Sequence, residues 1–355
     1  MGVLPVVTRI IGLALLCVLA LDATAAQTLD LAKREVNLFG FGDFNYVEDE
    51  GDDGGFVMGQ LVGHLSAGLG ERFNLFSEIS ATARDDEYNL EVERLFVRYE
   101  HSDLLKASVG RFHTPLGYWN TAYHHGTWLH TSVKRPDVIK FGSRVIPVHF
   151  VGLMAEGRLH FEDWGFKYQA GFGNGRHENI ARAGDAGDVN SERAWLLAAS
   201  AQSYALHVKV GVSVYGDKVS PDFLTEDVDE IITSAYFVWD SERIEAILEY
   251  HHLDHELDNG PGDDTSSGYY AQFGYRLPTS ARLTPYARME QVDIGNEDPL
   301  LGGLGIDYDA TVIGVRYDVA SAVALKGEYR REEFADSGKQ DNNFQIQLSF
   351  TVGGP

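Results

Sequence analysis

Two groups of side chains in one stretch of this sequence could do chemistry. Five of the 13 histidines fall within residues 113–149: His113, His124, His125, His130 and His149. Imidazoles are common transition-metal ligands, and a cluster lining a channel could hold Zn²⁺ or Cu²⁺. The spacing matches neither HExxH nor a helical HxxxH pair with a carboxylate, so a structural, pore-lining role stands beside the metal reading. The same stretch is basic. Within 114–147, Lys134, Arg135, Lys140 and Arg144 face only Asp137. A ring of Lys and Arg at a constriction favours anions. Arg98, Lys106 and Arg111, just before the stretch, could extend that ring. The alternative is that these cations pair with acidic neighbours such as Glu78, Glu91 or Glu156.

Acidic residues concentrate elsewhere, in 47–55, 217–229, 254–264 and 293–309. Such loops could bind Ca²⁺ or Mg²⁺ and bridge to lipopolysaccharide phosphates, although none matches the twelve-residue calcium loop. A solvated acidic rim is the plainer reading. His251, His252 and His255, beside one of these loops, read as surface residues.

The elements that must position these residues are strands. Side chains alternate with period two almost throughout. In 204–216, Leu206, Val208, Val210, Val212 and Val214 share one face, while His207, Lys209, Ser213 and Tyr215 share the other. The last segment alternates Phe344, Ile346, Leu348 and Phe350 with Asn343, Gln345, Gln347 and Ser349. Sixteen such segments run from 36–46 to 343–352, most of 10 to 14 residues. That exceeds the roughly 5–6 residues of soluble sheets and suits a tilted membrane-spanning strand. The apolar phase slips inside 88–101, which predicts a bulge near Glu93–Arg94. Short connections alternate with long ones, 84–87 being the brief exception, as in transmembrane barrels. The polar face carries charges on strand after strand, among them Glu156, Arg158, Lys167, Lys209, Glu245, Glu249, Arg288, Glu290, Lys326, Glu328 and Arg330. A wet lumen accepts these; a packed sandwich core does not. Trp164, Trp239, Tyr275 and Tyr317 near strand ends fit interfacial girdles.

Composition narrows the function. The chain has 355 residues, 29 Lys+Arg against 53 Asp+Glu, and a formal charge of −24, which argues against nucleic-acid binding. Residues 1–25 read as a signal peptide: Arg9, an apolar run over 10–21, then Ala23-Thr24-Ala25. The single cysteine, Cys17, lies inside that leader, so disulfides and cysteine chemistry are excluded after cleavage. Residues 26–355 then form one domain. No GxSxG, Walker or dinucleotide motif is present, and the chain reads as a non-enzyme.

With leader, strand count and loop pattern together, the chain resembles Gram-negative porins over its whole mature length. The segment GRFHTPLG (110–117) is similar to the strand-to-loop junction of phosphate-selective porins O and P. The resemblance implies an all-β, sixteen-stranded antiparallel transmembrane barrel with loop 114–147 folded toward the lumen. It implies a homotrimer in the outer membrane, both termini periplasmic, passing small polar or ionic solutes such as phosphate. The competing expectation is a non-conducting barrel serving as receptor, adhesin or structural protein.

Overall fold

The computed structural model describes residues 36–49, 54–84, 87–258, 263–279, 282–335 and 338–353. The expected leader, 1–25, and part of the first acidic loop lie outside them. The strands are β1 (Val36–Asp49), β2 (Gly55–Gly68), β3 (Phe73–Arg84), β4 (Glu87–Ser102), β5 (Leu105–His113) and β6 (His149–Phe161). There follow β7 (Trp164–Asn174), β8 (Ala194–Ser203), β9 (Val208–Val219), β10 (Val228–Asp240) and β11 (Ile244–Leu257). The last are β12 (Asp263–Tyr275), β13 (Leu283–Asp293), β14 (Tyr308–Ala320), β15 (Val323–Phe334) and β16 (Lys339–Val352). All sixteen form one closed antiparallel barrel in which each pairs with its sequence neighbours and β1 closes on β16. Closure satisfies every ladder and leaves no sheet edge.

The barrel is inverted relative to a soluble protein. On β16, Phe344, Ile346 and Leu348 are exposed, while Gln345, Gln347 and Ser349 are buried. Exposed Leu61, Val109, Leu197, Val212, Leu248, Ile313 and Leu325 continue the apolar band around the outside. Soluble monomers rarely expose contiguous apolar patches above a few hundred Å², so this surface calls for lipid. Trp164, Trp239, Tyr275 and Tyr317 face outward beside the short turns, where a girdle belongs. The start of β1 and the end of β16 lie at that same short-turn end.

Three features depart from the sequence reading. Strands β9 to β12, β15 and β16 run further toward the long loops than the apolar alternation does. Pairs such as Glu256↔Asp263 and Glu332↔Asp341 carry the ladder on with polar residues. Backbone pairing needs no apolar side chain, so the alternation ends before the strand does. Between β8 and β9 the turn is four residues, 204–207, with His207 at φ +56°, rather than a direct reversal at 203–204.

The interior, thirdly, is not simply wet. Leu116, Trp119, Ile139 and Ile146 from loop 114–148 pack with Ile232, Leu253 and Tyr270 of the wall in one buried cluster. Ile294, Leu300 and Leu301 of the loop after β13 join it, so that segment folds inward instead of forming an acidic outer rim. Its Asp298 is 3% exposed and accepts from Ser266, His255 and the amides of Leu300 and Leu301. His251 and His255 are likewise fully buried and bonded to wall carboxylates, not solvated. The bulge falls where expected: Glu78 pairs with Arg94 and Ile79 with Val92, leaving Glu93 as the extra residue.

Candidate pore constriction

Loop 114–148 leaves β5, crosses the barrel interior and returns to β6. A chain inside a barrel must find partners for its backbone groups, and the charged wall residues supply them. Glu249 on β11 accepts from the amides of Tyr118 (2.8 Å) and Trp119 (3.0 Å). These head the single helical turn Trp119–Ala122. Glu328 on β15 accepts from the Val133 amide at 2.9 Å, and Glu290 on β13 from the Asp137 amide at 2.7 Å. Glu245 accepts from the Thr131 hydroxyl at 2.7 Å. Cations serve the carbonyls. Arg316 donates to Trp128 O (2.7 Å) and His130 O (2.9 Å), and Lys326 donates to Thr127 O and to Ser132 O (2.9 Å). Arg288 and Arg330 converge on Glu290 and neutralise it.

One glycine is dictated by this docking. Gly117 has φ +73°, and a Cβ there would sit 2.0 Å from Glu249 Oε1. A second loop is pinned the same way: Arg176 forks onto Glu230 at 2.8 and 2.9 Å and donates to the carbonyls of Arg144, Val145 and Ile180.

The predicted basic residues divide. Arg98 pairs with Glu156 (2.9 Å), Lys106 with Glu100 (3.3 Å), Arg111 with Asp185, and Lys140 with Asp137 (2.8 Å). Lys134, Arg135 and Arg144 make no ion pair among the described residues. Arg135 stacks over Phe141, its guanidinium 3.9 Å from the ring centroid, and burial pulls it below the ordinary arginine range. Arg144 is exposed, far along the loop from Arg135, and its carbonyl receives Arg176.

His113, His124, His125 and His149 come together at the root of the loop, where His113 and His124 stack with centroids 3.5 Å apart. His130 stands apart, against Trp119. Burial, with Lys326, Arg288, Arg316 and Arg135 nearby, holds its imidazole well below the usual histidine range.

Docked on β11 to β15, and also on β1, β2 and β4 through Asp43, Gln60 and Glu93, the loop leaves β7 to β10 less covered. A polar cleft remains between Gly117 and Thr121 of the loop and Lys167, Gln169, Ser200, Lys209 and Tyr236 of β7 to β10. Lys209 makes no ion pair among the described residues and lies 5.2 Å from the Tyr118 ring centroid. Lys167 is directly opposite Arg158 in the ladder and 3.6 Å from Glu156, which also binds Arg98. Two lysines, Lys167 and Lys209, therefore line the cleft itself, and Arg158 and the Arg98–Glu156 pair adjoin it through Lys167. Sequence reading counted Lys167 and Lys209 only as generic lumen residues. Their significance comes from which half of the wall the loop covers, and no local pattern encodes that.

No family model and no curated protein matches the chain. Solved structures do. The fold is that of the porins. An anion-selective porin from Comamonas acidovorans superposes with a TM-score of 0.60 at 13% identity, covering 90% of this chain and 100% of that one. The outer-membrane channel DcaP of Acinetobacter baumannii gives 0.59 at 13% identity, covering 92% and 100%. The trimer form of OmpT, an outer-membrane protein of Vibrio cholerae, gives 0.56 at 13% identity, covering 90% and 99%. The likeness is one of fold, with few side chains in common.

Proposed function

We propose that the protein is an outer-membrane porin through which small hydrophilic solutes diffuse passively, with a preference for small anions such as phosphate. The observation that carries this reading is the polar cleft beside the docked loop, with Lys167 and Lys209 on its wall and Arg158 and Arg98 adjoining. A narrow lumen is poorly screened, so charges there outweigh the −24 of the whole chain, most of which can be screened by salt. The selectivity filter is thus moved from the loop cations, Lys134, Arg135, Lys140 and Arg144, to the wall. The outward apolar band and the girdle support a membrane setting, with the short-turn end and both termini periplasmic. Assembly as a homotrimer rests on the family resemblance.

A non-conducting receptor or adhesin is the second reading. It is favoured by the dense apolar cluster that the inward loops form inside the barrel. Planar-bilayer recording of purified protein separates the two. Steady unitary conductance with an anion-selective reversal potential in a KCl gradient supports the channel; repeated insertions without conductance favour the plugged barrel.

A further inference from the structure

The root of loop 114–148 holds a cluster of nitrogen and oxygen donors that neither docking nor conduction requires. Ligand atoms of His113, His124 and His125 lie within 4.8 Å of one another, and so do those of Glu93, His124 and His149. All five side chains are nearly or fully buried. His113, His124, His125 and His149 each leave Nε2 without a hydrogen-bond partner, and Glu93 leaves Oε2 in the same state. Five orphaned polar atoms in two overlapping groups that share His124 would be costly, at about 1–3 kcal/mol each, unless a cation belongs among them.

For two of the four imidazoles, His124 and His125, the surroundings fix which nitrogen is bare. Asn120 donates its amide to Thr114 O (2.8 Å) and Val148 O (3.0 Å). Its Oδ1 therefore faces His124 Nδ1, at 2.6 Å, and must accept. The proton of His124 is then on Nδ1, and Nε2 presents a lone pair to the cluster. Gln60 does the same for His125. Its amide donates to Thr82 at 3.1 Å, and its Oε1 accepts from His125 Nδ1 at 3.1 Å. This is the outer-shell arrangement that orients metal-binding imidazoles.

On the wall side the β-bulge aims Glu93 inward, and Ser80 steadies its Oε1 at 2.6 Å. Glu93 Oε2 then lies 3.1 Å from His125 Nε2 and 3.0 Å from His149 Nε2, without hydrogen-bond geometry to either. For His125, whose Nδ1 faces the Gln60 oxygen, a lone pair on Nε2 at 3.1 Å from a carboxylate oxygen is repulsive unless a positive charge sits between them. Two ligands of one tetrahedral zinc ion, at about 2.0–2.1 Å from the metal, stand roughly 3.3 Å apart.

We propose that Glu93, His113, His124, His125 and His149 form a site for a borderline divalent transition-metal ion, of which Zn²⁺ is the probe of choice. Imidazole with a single carboxylate suits Zn²⁺, Cu²⁺ or Co²⁺ and not Ca²⁺ or Mg²⁺, which prefer all-oxygen shells. The ion would clasp the loop, through His124 and His125, to β4, β5 and β6, through Glu93, His113 and His149. The inference is independent of whether the barrel conducts.

The test is calorimetric titration of ZnCl₂ into full-length, EDTA-stripped protein in detergent. One Zn²⁺ per chain is expected, undiminished by excess Mg²⁺. His124→Ala/His149→Ala should abolish saturable binding, and Asn120→Ala should weaken it by about 10–100-fold through loss of ligand orientation. His252→Ala, outside the cluster, should leave it unchanged. Should the double variant fail to fold, Co²⁺ added to the unaltered protein decides: intense visible bands of a four- or five-coordinate site support the proposal, and weak six-coordinate bands overturn it. Absence of saturable Zn²⁺ binding, or binding that survives His124→Ala/His149→Ala, overturns it as well.

Discussion

The docking of loop 114–148 can be broken at one atom pair. Glu249 Oε2 accepts from the amides of Tyr118 and Trp119 and from the Tyr270 hydroxyl (3.1 Å), and its Oε1 meets His251 at 2.9 Å. In Glu249→Ala both amides lose their acceptor inside the barrel. Hydrogen bonds to a charged group contribute about 1.5–3 kcal/mol net, so two of them give about 3–6 kcal/mol for opening of the loop start. At about 1.4 kcal/mol per tenfold, the open fraction should rise by about 10²- to 10⁴-fold. Amide hydrogen exchange at Tyr118 and Trp119 reads this directly, because exchange from the native barrel follows local opening. Glu249→Gln keeps a neutral acceptor and should fall between the two, since bonds to neutral acceptors are about half as strong. Protection at both amides within tenfold of the unaltered protein in Glu249→Ala would refute the idea that wall carboxylates hold the loop.

Other perturbations of the same lacing have defined outcomes. Gly117→Val forces a left-handed residue, at roughly 1–2 kcal/mol, and drives its Cβ into Glu249; exchange at Tyr118 should accelerate as in Glu249→Ala, with β-sheet circular dichroism unchanged. Lys326→Met leaves the carbonyls of Thr127 and Ser132 without their donor, at about 1–3 kcal/mol each, and should shift Trp128 fluorescence to the red as that segment loosens. Acid should act through His130. Its folded pKa lies below its unfolded value, so the unfolded loop takes up a proton that the docked loop refuses. Stability from this group is complete above about pH 6.5 and falls as pH drops below that. Protection across 127–133, taken against the intrinsic exchange rate at each pH, should therefore fall from pH 7.5 to 5, and His130→Phe should flatten the dependence.

The barrel was legible because a closed sheet in lipid writes its period into every strand. Phe344, Ile346 and Leu348 against Gln345, Gln347 and Ser349 fix both faces, and register follows from short turns. Glu93 was legible as a bulge because apolar phase slips there. Strand ends such as Leu257 and Lys339 were not, since the ladder outlasts the apolar band. Charges on the lumen face were visible individually, but their duties depend on partners more than 100 residues away, as with Glu249 and Tyr118. His251 and His255 looked like surface residues for the same reason: the carboxylates that bury them arrive from other strands or an inward loop. The histidine cluster was visible as a concentration in 113–149. Its geometry needed Glu93 from β4 and the two amides, Asn120 and Gln60, that fix the imidazoles.

The central claim is that wall lysines beside the docked loop set passage of ions. Reversal potentials in a KCl gradient, recorded on single channels, test it most directly. The unaltered protein should be anion-selective, Lys167→Glu/Lys209→Glu should invert the sign, and Lys140→Glu/Arg144→Glu on the loop should leave the sign as it was. A reversal potential unmoved by Lys167→Glu/Lys209→Glu, or inverted by the loop pair instead, would contradict the account.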